Sequence, residues 1–272
     1  MSEWRTTEAP AKLNLALVVG PRRPDGKHEV VTVMERLSLH DTLAVRPSPA
    51  TRVTGFEDDT LVAAALDAVA NAAGGRQRFE ARIEKRIPVA AGLGGGSSNA
   101  AATLRLANEL LDTPLEHDAL HDLAAALGAD VPFFLGNGTQ LASGDGTTLA
   151  PLALPRDYVV LLVLPDGVAK SSTRSVYFAF DARHGEEGYP DRRARLLGLL
   201  SELRETDDLA RLPQNDLASS PLADELREAG AIRADVTGAG PVVFGLFATE
   251  PKAARAATAL AGRARTWIAT PG

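Results

Sequence analysis

The chain has 272 residues, enough for one large domain or two ordinary ones, and its 45% hydrophobic and 24% charged residues are typical of soluble globular proteins. A formal net charge of -6 argues against a nucleic-acid partner, and the absence of cysteine excludes disulfides, thiolate metal sites and a thiol nucleophile. The N-terminus lacks an apolar signal core and no apolar run approaches the length of a bilayer span, so we expect a cytoplasmic protein with no membrane partner.

Alternating apolar residues and turn signals predict five strands in the first half of the chain. These strands cover residues 11–19, 30–39, 42–45, 79–87 and 139–142. Helical periodicity predicts three helices over residues 61–73, 99–111 and 116–127. Asp59 or Thr60 caps the first helix and Gly74-Gly75 stops it, whereas Gly128 ends the third.

The character of the sequence changes around Pro151 to Pro155, which predicts two domains, 1–152 and 153–272. Residues 158–164 form a strand that is apolar on both faces and therefore central in a sheet. Further strands are expected at 233–237, 242–247 and 265–269, and helices at 192–205, 221–229 and 251–261. This order predicts helices on one face of an antiparallel sheet, and hence an α+β fold.

The most informative pattern is the glycine-rich segment that follows the strand at 79–87. Its glycines permit backbone paths that are closed to residues with a Cβ atom, and three polar residues after them can cap the next helix. The glycines are Gly92, Gly94, Gly95 and Gly96, and the polar residues are Ser97, Ser98 and Asn99. A glycine turn that enters a helix N-terminus directs N–H groups and a positive dipole end at one spot, which suits a phosphate.

Commoner phosphate loops do not fit this segment. A dinucleotide fingerprint from Gly92 would need glycine at position 97, and a P-loop would need Gly-Lys at 97 and 98, where the chain has Ser97 and Ser98. A flexible linker is the alternative, but linkers are not usually placed between a strand and an apolar-striped helix. The segment therefore predicts a phosphate site of a different class.

Four further segments extend the pattern. They are Ala-Pro-Ala-Lys-Leu-Asn-Leu at 9–15, Pro-Asp-Gly-Lys-His at 24–28, Gly-Ala-Asp-Val-Pro-Phe-Phe at 128–134 and Val-Thr-Gly-Ala-Gly-Pro at 236–241. Together with the glycine segment, they resemble the motifs of the GHMP kinases, which include galactokinase, homoserine kinase, mevalonate kinase and phosphomevalonate kinase. The resemblance spans essentially the whole chain and keeps the family's order.

The resemblance implies a two-domain GHMP kinase fold, with a ribosomal-protein-S5-like N-terminal domain, a ferredoxin-like C-terminal domain and a site in the cleft between them. It implies ATP as phosphate donor, with Mg²⁺ carried mainly by the ATP phosphates. The closest branch phosphorylates a small alcohol bearing a cytidine diphosphate group, on the non-mevalonate isoprenoid route. We expect a monomer or weak homodimer. The alternatives are a homoserine- or mevalonate-type kinase, or a non-catalytic nucleotide-binding protein on this fold.

Two charged residues are the candidate catalytic groups. Lys12 lies on a strand, where it is either exposed or buried and in need of an anion. Asp130 is either a turn residue or a partly buried carboxylate. The resemblance implies that Asp130 accepts the proton of the substrate hydroxyl, while Lys12 keeps Asp130 ionised and offsets charge at the attacking oxygen.

The resemblance assigns the remaining site residues to the nucleotide and the substrate. The nucleotide-binding residues are Pro88, Val89, Ala90, Ala91, Gly92, Leu93, Gly94, Gly95, Gly96, Ser97 and Ser98. The substrate-binding residues are Asn14, His28, Tyr177, Gly238 and Gly240. No protein metal site is predicted, although the hydroxyl of Ser97 or Ser98 is a possible Mg²⁺ contact.

Some of these residues also have a purely structural explanation, and the sequence departs from the family pattern at two positions. From spacing alone, His28 would be a surface-loop histidine, and Gly238 with Gly240 would be only a tight turn between strands. Lys27 stands where the family usually has a tyrosine that stacks on the cytosine, and Thr60 stands where it tends to have asparagine near the adenine. Both departures concern substrate identity rather than phosphoryl transfer.

Overall fold

The structure is a computed structural model that describes residues 3–56, 59–168 and 172–272. The described strands are β1 (Arg5–Arg22), β2 (His28–Ser48), β3 (Arg52–Thr54), β4 (Arg78–Glu84), β5 (Gln140–Gly144), β6 (Thr148–Pro151), β7 (Val159–Pro165), β8 (Arg233–Val236), β9 (Val243–Phe247) and β10 (Ala264–Ala269). The described helices are α1 (Thr60–Ala72), α2 (Gly95–Glu109), α3 (His117–Leu127), α4 (Thr173–Ala182), α5 (Tyr189–Leu200), α6 (Pro221–Glu228) and α7 (Glu250–Ala259), with 3₁₀ turns at Pro132–Leu135 and Thr206–Arg211. The predicted α+β content is confirmed.

The described residues form two compact units. The first unit comprises the described parts of Met1–Ala11, Leu39–Val89 and Gly94–Asn137. The second unit comprises those of Lys12–Ser38, Ala90–Leu93 and Gly138–Gly272. The predicted domain boundary between residues 152 and 153 stays a prediction.

The first unit combines a short sheet with helices. The C-terminal half of β2 pairs antiparallel with β4, Thr42 lying opposite Glu84, and β3 pairs with β4 in parallel. Helices α1 and α2 pack against each other, and α1 buries an apolar stripe that includes Val62, Leu66 and Val69. This stripe recurs every three to four residues, as the helical period requires.

The second unit contains two sets of antiparallel strands. The N-terminal half of β2 pairs with β5, and β5 pairs with β6. A four-stranded sheet has the order β10-β7-β9-β8, with β7 in a central position as its apolar sequence predicts. Buried residues of α6 and α7, among them Leu226 and Ala253, pack in one core with Leu161 and Val163 of β7. This core confirms the predicted helices on an antiparallel sheet.

The structure corrects the predicted start of the helix after the glycine segment. Helix α2 begins at Gly95 instead of residue 99, because Gly94 adopts a left-handed conformation (φ 70°) that turns the chain directly into the helix. The prediction that Ser97, Ser98 or Asn99 caps this helix is therefore wrong. These residues lie inside the first turns, and no side chain caps α2.

Other boundaries also differ from the sequence-based expectation. Residues 28–48 form one strand rather than two, and the helix expected at 192–205 is shifted to Tyr189–Leu200. The helix at Thr173–Ala182 was not predicted. The Asp59 cap is confirmed, since its carboxylate accepts a hydrogen bond from the Val62 N–H at 3.2 Å.

Candidate functional site

The glycine segment is distributed over both units of the chain. Pro88, Val89 and the run from Gly94 to Ser98 belong to the first unit, whereas Ala90, Ala91, Gly92 and Leu93 belong to the second. Positive φ angles at Ala90 (60°), Gly92 (80°) and Gly94 (70°) give the segment its tight course. Since the N–H groups of a first helical turn lack intrahelical acceptors, those of α2 point out of the helix end.

Two buried polar atoms follow that helix end. Among the described residues, the Oγ of Ser98 and the Oδ1 of Asn99 are fully buried and have no hydrogen-bond partner. Buried polar atoms are nearly always paired, so a buried hydroxyl without a partner one turn into the helix is a candidate ligand contact. The amide of Asn99 donates instead to Asp59 at 3.1 Å, which joins the starts of α1 and α2.

A buried carboxylate that sequence reasoning missed fixes the strand leading into the segment. Asp41 accepts hydrogen bonds from the backbone N–H groups of Arg86 (2.7 Å) and Ile87 (2.8 Å) and from the Lys85 ammonium group. A Cβ atom at Gly95 would lie 3.0 Å from Lys85 Nζ, so this cation stands at the start of α2. A lysine directly after a strand, three residues before Pro88, was the available signal.

Lys12 is buried in the second unit, which rules out the exposed-lysine alternative. Only 4% of its surface is accessible, and its ammonium group donates to Asn14 Oδ1 at 2.7 Å. Asn14 is held in turn, because its amide donates to Thr32 Oγ1 (2.8 Å) and its backbone N–H to Thr237 Oγ1 (3.0 Å). The amine therefore has a fixed position on β1.

Glycine backbone approaches this lysine closely. The Lys12 N–H donates to the Leu93 carbonyl at 2.9 Å. A Cβ atom at Gly92 would lie 2.9 Å from the Thr237 carbonyl oxygen, and one at Gly238 would lie 3.7 Å from Lys12 Nζ. The second unit thus brings together six predicted residues: Lys12, Asn14, Gly92, Leu93, Gly238 and Gly240.

The turn that carries Gly238 and Gly240 has a further support. The buried Asn215 donates through its side-chain amide to the carbonyls of Val236 (2.9 Å) and Gly238 (2.7 Å). Sequence reasoning did not single out this asparagine, because it lies in an irregular segment about twenty residues before the turn. Gly238 and Gly240 therefore form a tight turn between strands, as the purely structural alternative holds. Asn215 fixes this turn in place beside Lys12.

Asp130 lies in the first unit, in the turn between α3 and the 3₁₀ segment Pro132–Leu135. The Val131 N–H closes this turn on the Gly128 carbonyl at 3.1 Å. Asp130 is half-buried and is followed by the fully buried residues Val131 and Phe133. It is therefore a turn residue and a partly buried carboxylate at once.

His28 is not a surface-loop residue, as spacing alone would suggest. It is the first residue of β2, and its ring is only 7% exposed. The ring stacks on Tyr177 with centroids 4.7 Å apart and meets the edge of Phe180 at 6.0 Å, while Nε2 lies 2.7 Å from Asp181 Oδ1. The two predicted substrate residues, His28 and Tyr177, are therefore in direct contact.

Lys27, the departure from the family pattern, is held by an ion pair. Its ammonium group lies 2.6 Å from Asp145 Oδ2, in the turn between β5 and β6. This hydrogen bond, helped by one from Thr147, lowers the pKa of Asp145 to about 2. Thr60, the second departure, is the exposed first residue of α1.

None of the helices in 3–56, 59–168 and 172–272 combines the length and apolar character needed to cross a membrane. Within the same ranges, no group of three or more His, Cys, Asp or Glu side chains is arranged to hold a metal ion.

Comparisons with known proteins agree with this geometry. The family model described as "GHMP kinases N terminal domain" matches residues 60–138, and "GHMP kinases C terminal" matches residues 198–265. Because both halves match, the chain is a kinase of the GHMP class.

Individual relatives show which branch of the GHMP kinases this chain resembles. A relative from Gloeobacter violaceus is 38% identical over 93% of this chain and 89% of its own, and one from Pelotomaculum thermopropionicum is 40% identical over 89% of each. Both are named 4-diphosphocytidyl-2-C-methyl-D-erythritol kinase. A crystal structure of 4-(cytidine 5'-diphospho)-2C-methyl-D-erythritol kinase, 32% identical, superposes with a TM-score of 0.79 over 98% of this chain and 99% of that one. The chain belongs to the 4-diphosphocytidyl-2-C-methyl-D-erythritol kinase family.

Proposed function

We propose that this protein transfers the γ-phosphate of ATP to the 2-hydroxyl of 4-diphosphocytidyl-2-C-methyl-D-erythritol, as a cytoplasmic enzyme of non-mevalonate isoprenoid biosynthesis. The names of the relatives support this substrate. The observation that carries phosphoryl transfer is the buried Lys12 amine, fixed by Asn14 beside the glycine turn at Gly238. Burial of a cation is costly, so a lysine held in this position supports a role at an anionic group of the reactants.

The ATP phosphates are assigned to the backbone of residues 88–98 and to the open end of α2. The N–H groups and dipole of that end favour an anion, and Lys85 adds a positive charge near Gly95. The orphaned Ser98 hydroxyl fits a phosphate oxygen or a ligand position of Mg²⁺. When bound with ATP, the ion neutralises charge on the phosphates.

Asp130 is assigned as the acceptor of the hydroxyl proton, and Lys12 as the cation that offsets charge on the attacking oxygen. Phosphoryl transfer asks for positioning and charge stabilisation, so one carboxylate and one fixed cation suffice. Asn14 holds the lysine amine, and the Gly238–Gly240 turn leaves room for the tail of the substrate. His28 and Tyr177 are assigned to the cytidine end.

A substrate panel tests the proposal. Purified protein with ATP and Mg²⁺ is given 4-diphosphocytidyl-2-C-methyl-D-erythritol, homoserine or mevalonate, ADP release is followed by a coupled assay, and the product is identified by mass spectrometry. We expect turnover with the cytidine compound and phosphate on its 2-hydroxyl. Turnover confined to homoserine or mevalonate would refute the substrate, and inactivity with every alcohol would favour a non-catalytic nucleotide-binding protein.

A further inference from the structure

A buried ion pair occupies β8, directly before the Gly238–Gly240 turn. Nη2 of Arg233 lies 3.0 Å from Oδ2 of Asp235, and less than a tenth of either side chain is exposed. Burial of two charges carries a desolvation cost, and apolar residues of similar volume often replace such a pair without loss of stability. Stability alone therefore explains this ion pair poorly.

The guanidinium group of Arg233 ties the strand of Lys12 to the loop that precedes Asn215. Its Nε atom donates to the Leu15 carbonyl at 2.9 Å. Its Nη atoms donate to two successive carbonyls of the loop, at 2.5 and 2.7 Å. Leu15 directly follows Asn14, which accepts the hydrogen bond of the Lys12 amine. One buried side chain thus joins β1 to the loop.

The carboxylate of Asp235 holds Asn215 itself. Oδ2 accepts the backbone N–H of Asn215 at 2.9 Å, and Oδ1 accepts that of Val236 at 2.8 Å. The amide of Asn215 donates in turn to the Gly238 carbonyl at 2.7 Å, and its oxygen accepts the Leu217 N–H at 2.8 Å. A continuous chain of hydrogen bonds therefore runs from β1 through the ion pair to the glycine turn.

The end of this chain lies beside the lysine amine. A Cβ atom at Gly238 would be 3.7 Å from Lys12 Nζ and 3.4 Å from Asn14 Oδ1. A small shift of the turn would therefore change the space next to the amine. A misplacement of about 1 Å, even when it originates far from the chemistry, can lower the rate of a reaction about a hundredfold.

We propose that Arg233 and Asp235 are positioning residues of the phosphoryl-transfer site. By holding Asn215 against β1, they set the distance between the glycine turn and the Lys12 amine. Both act through Asn215 and the backbone rather than on the reactants. This inference rests on the proposed function, in which the turn leaves room for the tail of the alcohol, and deepens it by naming what fixes the turn.

The test measures the KM for 4-diphosphocytidyl-2-C-methyl-D-erythritol in Asp235→Ala. This variant removes both acceptors that hold the backbone N–H groups of Asn215 and Val236. We expect kcat/KM to fall about ten- to a hundredfold, with a KM at least about threefold higher, because a displaced turn no longer fits the substrate. A smaller folded fraction would lower the apparent kcat but leave the KM unchanged, so the KM separates positioning from stability.

Glu35→Ala is the matched control. Glu35 lies on β2 in the same unit, is fully buried, and accepts a hydrogen bond from Arg156 at 3.1 Å. The variant removes a buried carboxylate from an arginine away from the glycine turn, and it should keep the wild-type KM. If Asp235→Ala does not fold, the double substitution Arg233→Met with Asp235→Leu, which leaves neither charge unpaired, takes its place.

A second comparison tests whether Asp235 acts through Asn215. Asn215→Ala removes the hydrogen bond to the turn and should also raise the KM. If the two residues belong to one chain of contacts, adding Asp235→Ala to Asn215→Ala should change the KM no further, whereas independent effects would multiply.

The outcomes keep the two proposals apart. A raised KM in Asp235→Ala but not in Glu35→Ala, with no further rise in the variant that combines Asp235→Ala and Asn215→Ala, supports the inference. A wild-type KM in active Asp235→Ala, an equal rise in Glu35→Ala, or multiplied effects overturns it and leaves the proposed function standing. A wild-type protein that does not phosphorylate the alcohol overturns the proposed function, and the inference with it.

Discussion

Replacing Gly92 by alanine tests the close backbone approach beside Lys12. The added Cβ atom would lie 2.9 Å from the Thr237 carbonyl oxygen and 3.0 Å from that of Gly240. Both atoms belong to the backbone of a pinned turn, so rotation of a side chain cannot relieve the contacts. Residue 92 also has φ +80°, which costs a non-glycine residue about 1–2 kcal/mol. Overpacking adds about 1–3 kcal/mol, for a total loss of roughly 2–5 kcal/mol in unfolding free energy.

Gly262→Ala separates the two contributions. Gly262 has nearly the same φ (+76°) in the same unit, but a Cβ atom there meets nothing within 4 Å. Urea unfolding should therefore show a loss of about 1–2 kcal/mol for Gly262→Ala and about 1–3 kcal/mol more for Gly92→Ala. In the kinase assay, only Gly92→Ala should lower kcat/KM. Equal losses of stability in the two variants would refute the tight approach of residue 92 to the turn.

Three further predictions concern other parts of the chain. Lys12→Met and Asp130→Asn should each lower kcat by about 10²–10⁴ in the coupled assay while the protein stays folded, and a variant that keeps a tenth of the rate would contradict its assignment. Asp59→Ala removes the cap of α1 and the partner of the Asn99 amide, so urea unfolding should show a loss of about 1–3 kcal/mol; a loss below 0.5 kcal/mol, roughly the scatter of surface substitutions, would contradict it. The pKa of Asp145, about 2 when folded against 3.8 as an isolated group, means that its contribution to stability is present above about pH 4 and lost as the pH falls toward 2. Lys27→Met should raise this pKa in an NMR titration, and an unchanged value would show that the ion pair is not its cause.

Much of the fold follows from patterns that are local in the sequence. The apolar run of β7 predicts its central position, and the Asp59 cap and the Gly128 stop of α3 follow from the chemistry of helix ends. The start of α2 does not follow in this way. Serine and asparagine are good caps in general, but the left-handed turn at Gly94 begins the helix before they are reached. Backbone geometry at one glycine outweighs the capping preference of three polar residues.

The candidate site shows a similar division. Motif order predicts Lys12, Asn14, Leu93 and the glycines, and the structure gathers six of the predicted residues in one unit. Partners that are distant in sequence have no local signal. Asp181 is 153 residues from His28 and lies on α4, a helix that the sequence analysis did not predict. Asn215, which pins the glycine turn, is hidden for the same reason.

The glycines of the two motifs serve different physical purposes, although both appear in sequence as conformational freedom. Gly94 is needed for its own backbone angle, which directs the chain into α2 and aims the N–H groups of the helix end. Gly238 (φ +57°) is likewise needed for its backbone angle, whereas Gly92 is needed for space as well, since the carbonyl oxygens of Thr237 and Gly240 lie 2.9 and 3.0 Å from where its Cβ atom would project. Asn14 orients the buried Lys12 amine beside this turn, where apolar atoms would raise the cost of burying its charge. A positioned cation in a tightly packed, polar surrounding is what phosphoryl transfer requires.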